Sequence, residues 1–185
     1  MYHIKRDKRA LASVELICAG LLRLMARKPF EKITITDLQK ESTVSRSTFY
    51  RNFDCLEDVL ELLCDRGFQT IFDTYNAQPP EARGRLSVAV FRYWCKNSGI
   101  LEALVAIHRT DILFSSLRRC AAQLDSLQFL AADPVQYDYF VSMITSVMVG
   151  ILVTWTEHGK AESEEKVLEI VKTAFAAAVS LGIII

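Results

Sequence analysis

Between Ile33 and Phe53 the chain reads Ile-Thr-Ile-Thr-Asp-Leu-Gln-Lys-Glu-Ser-Thr-Val-Ser-Arg-Ser-Thr-Phe-Tyr-Arg-Asn-Phe, a spacing of caps and apolar residues that suits two short helices joined by a tight turn. Thr36 stands where it can cap the first helix, with Gln39 three residues on to complete a capping box and Asp37 matched to the positive end of the dipole. That helix is expected to run to about Ser42. Ser45 can cap the second, and Val44 and Phe49 occupy the two positions of a hydrophobic staple, so the turn is only Thr43 and Val44. Phe49 and Phe53 lie four apart and share a buried face, which turns Ser47, Thr48 and Arg51 outward and leaves Arg46 and Tyr50 on the flanks. A short, polar, cationic and aromatic-edged face suits a DNA major groove, with side chains for base edges and guanidinium and hydroxyl groups for phosphate. Thr36, Ser45, Arg46, Ser47, Thr48, Tyr50 and Arg51 are the candidate contacts.

Ile35-Thr36-Asp37-Leu38, then Val44 to Phe53, then Glu57-Asp58-Val59-Leu60 together closely resemble the N-terminal helix-turn-helix of TetR-type transcriptional regulators. The resemblance covers about the first third of the chain. It implies an all-α homodimer of about nine helices, with a DNA-binding domain over residues 1–66 and a ligand-sensing and dimerisation domain over residues 67–185. Two departures stand out. The family usually carries a small residue and then glycine at the turn, where this chain has Ser42 and Thr43, so the turn must form without the permissive residue. The family also usually has a phosphate-touching lysine just before the Glu57 position, where Leu56 stands here.

Charge divides the chain the same way. Residues 1–54 hold 11 Lys and Arg against 6 Asp and Glu, a net +5, and the remaining residues hold 11 against 16, a net −5. A basic head on an acidic body fits one face for phosphate and another for something else. Half of the residues are hydrophobic, yet only 7 are Gly and 4 are Pro, which favours helices over a turn-rich β fold. The five cysteines are scattered, without metal-ligand spacing, and read as reduced small hydrophobes of a cytoplasmic protein. The N-terminus is charged and has no apolar core of a secretion signal.

From Lys8 to Arg27, the positions Leu11, Val14, Ile17, Cys18, Leu21, Leu22 and Met25 predict an amphipathic helix under the motif, and Lys5, Arg6, Lys8 and Arg9 at its start are within reach of phosphate. A further helix starts at Asp54 or Cys55, has a break or bend expected at Gly67, and ends at Asn76-Ala77-Gln78-Pro79-Pro80. Residues 85–96, 99–108 and 111–130 read as three more, with a stripe that includes Phe91, Trp94, Leu104, Leu113, Leu124 and Phe129. Such a stripe is usually core. By the resemblance these helices would line an effector cavity, with Phe72, Phe91, Trp94, His108 and Phe114 as its walls.

Residues Tyr139 to Thr156 carry no charge over 18 positions, close to the length of a membrane span. Ser142, Thr145, Ser146, Thr154 and Thr156 dilute that apolarity, so a helix from Pro134 to His158 is expected to be buried on nearly all sides by its own core and a second subunit, with Gly150 allowing close approach and Gly159 ending it. The last helix, opened by Ser163, Glu164 and Glu165, is as apolar. Residues 137–157 and 163–183 are therefore expected to pair with the same segments of a second copy in a four-helix bundle, with no membrane. No phosphate loop, nucleophile elbow, zinc-binding pair or carboxylate cluster marks an enzyme, a metal or a cofactor. His3, His108 and His158 lie far apart, and His158 falls at a helix C-terminus where a cation is favourable. The expectation is a ligand-responsive regulator, a repressor on a near-palindromic double-stranded DNA operator. The alternative is a regulator or coactivator whose body binds a protein partner instead of a small molecule.

Overall fold

The computed structural model describes residues 2–4, 7–121 and 133–182, and among these residues the chain forms nine α-helices and no strand. Lys5, Arg6, Leu124, Phe129 and Ile183 lie outside the described residues. The head consists of α1 (Lys8–Met25), α2 (Ile35–Ser42) and α3 (Arg46–Tyr50). Asp7 caps α1 by accepting from the Ala10 amide at 2.8 Å. Val14, Ile17, Cys18, Leu21 and Leu24 face the core, whereas Leu11 and Leu22, expected in that stripe, are 44% and 42% exposed. The buried stripe of α1 is thus narrower than the run of apolar residues.

At Gly20, α1 comes so near α2 that an added Cβ would lie 2.9 Å from Ser42 Cβ. The α2 cap corrects the sequence expectation: Thr34, not Thr36, is the N-cap. Thr34 Oγ1 accepts from the Asp37 amide at 3.1 Å, and Asp37 Oδ2 accepts from the Thr34 amide at 2.9 Å. An anion at the third position suits the dipole better than the neutral Gln39, and Lys28, 2.6 Å from Asp37, adds a charge-assisted bond. Lys28 and Thr34 hold the Asp37 carboxyl well below the usual carboxylate range. Thr43 makes the turn in the left-handed region, φ 61°, without glycine, and its hydroxyl donates to the Ser42 carbonyl at 2.6 Å.

The long helix α4 (Leu56–Asn76) carries the chain from the head into the body. Asp58 closes its N-terminus by accepting from the Asp54 amide at 2.7 Å. The helix runs through Gly67 without the break that the sequence allowed there. There a Cβ would meet Tyr93 at 3.0 Å and Trp94 at 3.3 Å, so the glycine serves the close approach of the next helix. Arg83 ties down the connection after α4 by donating to the carbonyls of Asn76 and Gln78, both at 2.9 Å.

The body packs α4 against α5 (Leu86–Lys96) and α7 (Asp111–Ala121), with α6 (Ser98–Ala106) and α8 (Pro134–Glu157) completing it. Val141, Thr145, Val149, Leu152 and Trp155 form the inward face of α8. Its other face is bare: Tyr139 is 77% and Met143 51% exposed, and nothing lies within 4 Å of a Cβ added at Gly150. The helix is long and apolar enough by composition to cross a membrane. Within this chain it is buried on one side, not on nearly all. Gly159, φ 68°, ends it as expected: its amide donates to the Thr156 carbonyl and that of Lys160 to Trp155, the two bonds of a Schellman motif. The last helix, α9 (Glu164–Ser180), buries Val167 and leaves Ile170, Phe175 and Val179 at 41% exposure or more.

Candidate nucleic-acid interface

Ser45 caps α3 as its position predicts. Its hydroxyl accepts from the Thr48 amide at 3.2 Å, donates to Thr48 Oγ1 at 2.9 Å and lies 3.0 Å from Ser47 Oγ, so three hydroxyls form one connected cluster. Phe49 and Phe53 anchor the underside at 3% and 0% exposure with ring centroids 5.6 Å apart, although Phe53 lies beyond the helix, which ends at Tyr50. Val44 is buried beside them. Arg46, Ser47, Tyr50 and Arg51 are exposed and Thr48 is half-buried. The Tyr50 ring packs edge-on with Phe49, centroids 5.3 Å apart, and has the Arg46 guanidinium 5.6 Å from its centroid. Thr36 is exposed on the first turn of α2, its hydroxyl released from capping.

Beside α3 the start of α1 forms the opposite bank of an open cleft lined by Lys8, Arg9, Ser13, Thr48 and Arg51. Asp7 also borders it, but its carboxylate is engaged by the α1 amide that it caps. Among the described residues no carboxylate pairs with Lys8, Arg9, Arg46 or Arg51. Elsewhere on the head several cations are matched: Arg23 and Arg27 to Glu41, Lys28 to Asp37, Arg66 to Glu15. Lys8, Arg9 and Arg51 thus gather positive charge without a paired carboxylate among the described residues where α3 and α1 meet, as a phosphate-tracking surface requires.

One positioning residue gave no signal in the sequence. Asn52, 2% exposed, donates through Nδ2 to the Thr48 carbonyl at 2.8 Å and accepts at its own carbonyl from the His3 amide at 3.0 Å, tying the end of α3 to the N-terminal segment. Tyr2 holds the same segment to α4 through a 2.7 Å bond to Asp65. Leu56 is half-buried in a recess with Phe30, Ile33 and Ile107, so it serves the joint between head and body.

The five aromatic and histidine residues expected around one body cavity are not brought together. Phe72 and Trp94 are sealed in the core at 1% and 0% exposure, Trp94 against Phe68 with centroids 5.1 Å apart. Phe114 is half-buried on α7. His108 is exposed and takes φ 55° to end α6, with its amide donating to Val105 and that of Arg109 to Leu104, again a Schellman motif. Its duty is a backbone one. Only Phe91 of the five borders the apolar space beneath α8 and α9, which measures about 60 Å³. Ligand sites for drug-sized molecules usually run from about 300 Å³ upward.

No protein-family model matches the sequence, and no curated protein does. Solved structures do match in fold. Lin0861 from Listeria innocua superposes with a TM-score of 0.72 at 17% identity over 94% of each chain. The dihydroxyacetone kinase operon activator DhaS gives 0.60 at 14% identity, over 92% of this chain and 98% of its own. A TetR transcriptional regulator from Streptococcus agalactiae 2603V gives 0.59 at 19% identity, over 91% and 96%. The likeness extends from the helix-turn-helix to the last helices, and the chain has the fold of TetR-type transcriptional regulators.

Proposed function

We propose that this protein is a DNA-binding transcriptional regulator that acts in the cytoplasm as a homodimer, with residues 1–66 as its DNA-binding domain and residues 67–185 for sensing and dimerisation. The observation that carries the reading is the α3 surface: a capped hydroxyl cluster, an exposed tyrosine beside the Arg46 guanidinium, and Arg46, Arg51, Lys8 and Arg9 left without carboxylate partners among the described residues. Thr36, Ser45, Arg46, Ser47, Thr48, Tyr50 and Arg51 are assigned to DNA. The uncovered apolar faces of α8 and α9 support pairing through residues 137–157 and 163–183, since a patch of this kind on a monomer invites association. Two copies of α3 then enter successive major grooves of a near-palindromic operator, and the dimer represses by occupying it. An effector acts by binding one spacing of the two heads better than the other.

A second reading, in which the body binds a protein partner in place of a small molecule, is favoured by the small size of the space under α8 and α9. The test of the main reading is binding-site selection from random duplex DNA, followed by titration of Tyr50→Ala and Arg51→Ala on the selected site. Both variants should weaken binding with the fold intact, and Arg51→Ala should flatten the fall of log affinity with log salt by about one unit. No selected site, or unchanged affinity and slope in both variants, would remove α3 as the reader.

A further inference from the structure

A larger space than the one beneath α8 and α9 lies on the outside of the body. Between the outer sides of α4 and α5 lies a groove of about 420 Å³, open along one side, within the size range of small-molecule sites. Its long wall carries Arg85, the residue that precedes α5, and Arg92 and Lys96 on α5 itself, all exposed, with half-buried Val88 and Ala89 between them. Ile71, 4% exposed, forms the apolar floor from α4, and Thr74 and Tyr93 line the same space. Among the described residues no carboxylate lines it.

The three cations are not alike. Arg92 is held by Glu164 through two bonds of 2.7 and 3.1 Å, which join α5 to the first turn of α9. Arg85 and Lys96, at the two ends of the groove, pair with no carboxylate among the described residues. The connection that closes one end is fixed by Arg83, whose guanidinium also lies 5.6 Å from the ring of Tyr75 in the groove wall. The groove is thus supported before any ligand arrives, and its cations stand over an apolar strip.

We propose that this groove binds a small organic anion with an apolar body, a carboxylate or phosphate ester whose charged group is held by Arg85 or Lys96 while its carbon chain covers Ile71, Val88 and Ala89. The proposal rests on the effector-responsive reading above and gives that effector a chemical class and a place away from the α8 and α9 faces. An anion here bridges α4, which carries the head, and α5, which Arg92 ties to α9. Occupancy therefore bears on the spacing between head and dimerisation helices.

The test is calorimetric titration of the full chain, without DNA, by octanoate, by octanol as its neutral counterpart and by acetate as its charged group alone. Octanoate should bind, with octanol and acetate weaker by about tenfold or more, the scale of one charge-assisted contact. Arg85→Gln and Lys96→Gln alter exposed side chains that pair with no carboxylate among the described residues and should leave the melting temperature in place; at least one should weaken octanoate about tenfold. Thr74→Asp, which sets a carboxylate in the groove, should abolish binding. No octanoate binding, octanol binding as tight as octanoate, or affinity unchanged in all three variants would overturn the proposal. DNA affinity of the ligand-free protein is read in parallel: intact DNA binding without octanoate binding retires the groove alone, and loss of the DNA reading leaves the groove's titration to stand or fall separately.

Discussion

Replacing Gly20 by alanine sets two effects of known size against each other. An interior helical alanine is favoured over glycine by about 1 kcal/mol. The new Cβ, however, would lie 2.9 Å from Ser42 Cβ and 3.3 Å from Ser42 Cα and Leu38 Cδ1. Ser42 is 2% exposed and its hydroxyl is committed to the Leu38 carbonyl at 2.6 Å, so its atoms cannot swing aside and α2 as a whole must move. Overpacking of this kind costs about 1–3 kcal/mol, and contact with a rigid element argues for the upper half, leaving a net loss of about 1–2 kcal/mol. For a chain of this length that lowers the melting temperature by roughly 2–8 °C. Gly99 is the matched control. It too is helical, but nothing lies within 4 Å of its added Cβ, so only the favourable effect remains and Gly99→Ala should melt at or above wild type. Both are read by circular dichroism at one fixed protein concentration, because melting of the proposed dimer would depend on concentration. Since α2 supports α3, Gly20→Ala should also lose DNA affinity beyond its loss of stability. A Gly20→Ala protein that melts as high as wild type would refute the close-approach reasoning.

Trp94→Ala should cost about 3–5 kcal/mol and lower the melting temperature by roughly 6–20 °C, because the ring is fully buried against Phe68 and Gly67; a loss under about 1 kcal/mol would mean that the ring borders open space. Asp37 has its pKa lowered by Lys28 and then Thr34, so its contribution is present above the unfolded carboxylate value near 3.9 and is lost as pH falls through the lower folded value. The stability gap between wild type and Asp37→Asn, measured by urea unfolding, should therefore narrow below about pH 4, and a gap constant with pH would exclude the ion-paired cap as its source.

What could be read from the sequence was what local chemistry decides. Ser45 as a cap, Phe49 and Phe53 as anchors, the prolines after Asn76 and the glycine after α8 each act on residues within a turn or two. Where two local patterns overlapped, a distant residue chose between them. Thr34 and Thr36 each have a capping partner three residues on, and Lys28, a chain neighbour of neither, favours Asp37. Positions that depend on which element packs opposite were illegible for the same reason. The apolar period of α1 includes Leu11 and Leu22, but both stay largely exposed, outside the stripe that packs on the head's core. Gly67 has the same composition whether it breaks a helix or admits Trp94 and Tyr93. His108 shows why an aromatic ring in an apolar stretch is weak evidence for a cavity wall: its left-handed backbone is needed to end α6, a position where glycine would have announced the turn. The groove between α4 and α5 leaves no mark in the sequence pattern, because its cations are spread over about three turns and face residues of another helix.

The most direct test of α3 as a dimeric DNA reader is hydroxyl-radical footprinting of the purified protein on its selected operator. Two protected patches should appear, related by a dyad and about 34–36 Å or a multiple of that apart, and both should fade together in Arg51→Ala. A single asymmetric patch, or a paired footprint that survives substitution of Tyr50 and Arg51 unchanged, would contradict it.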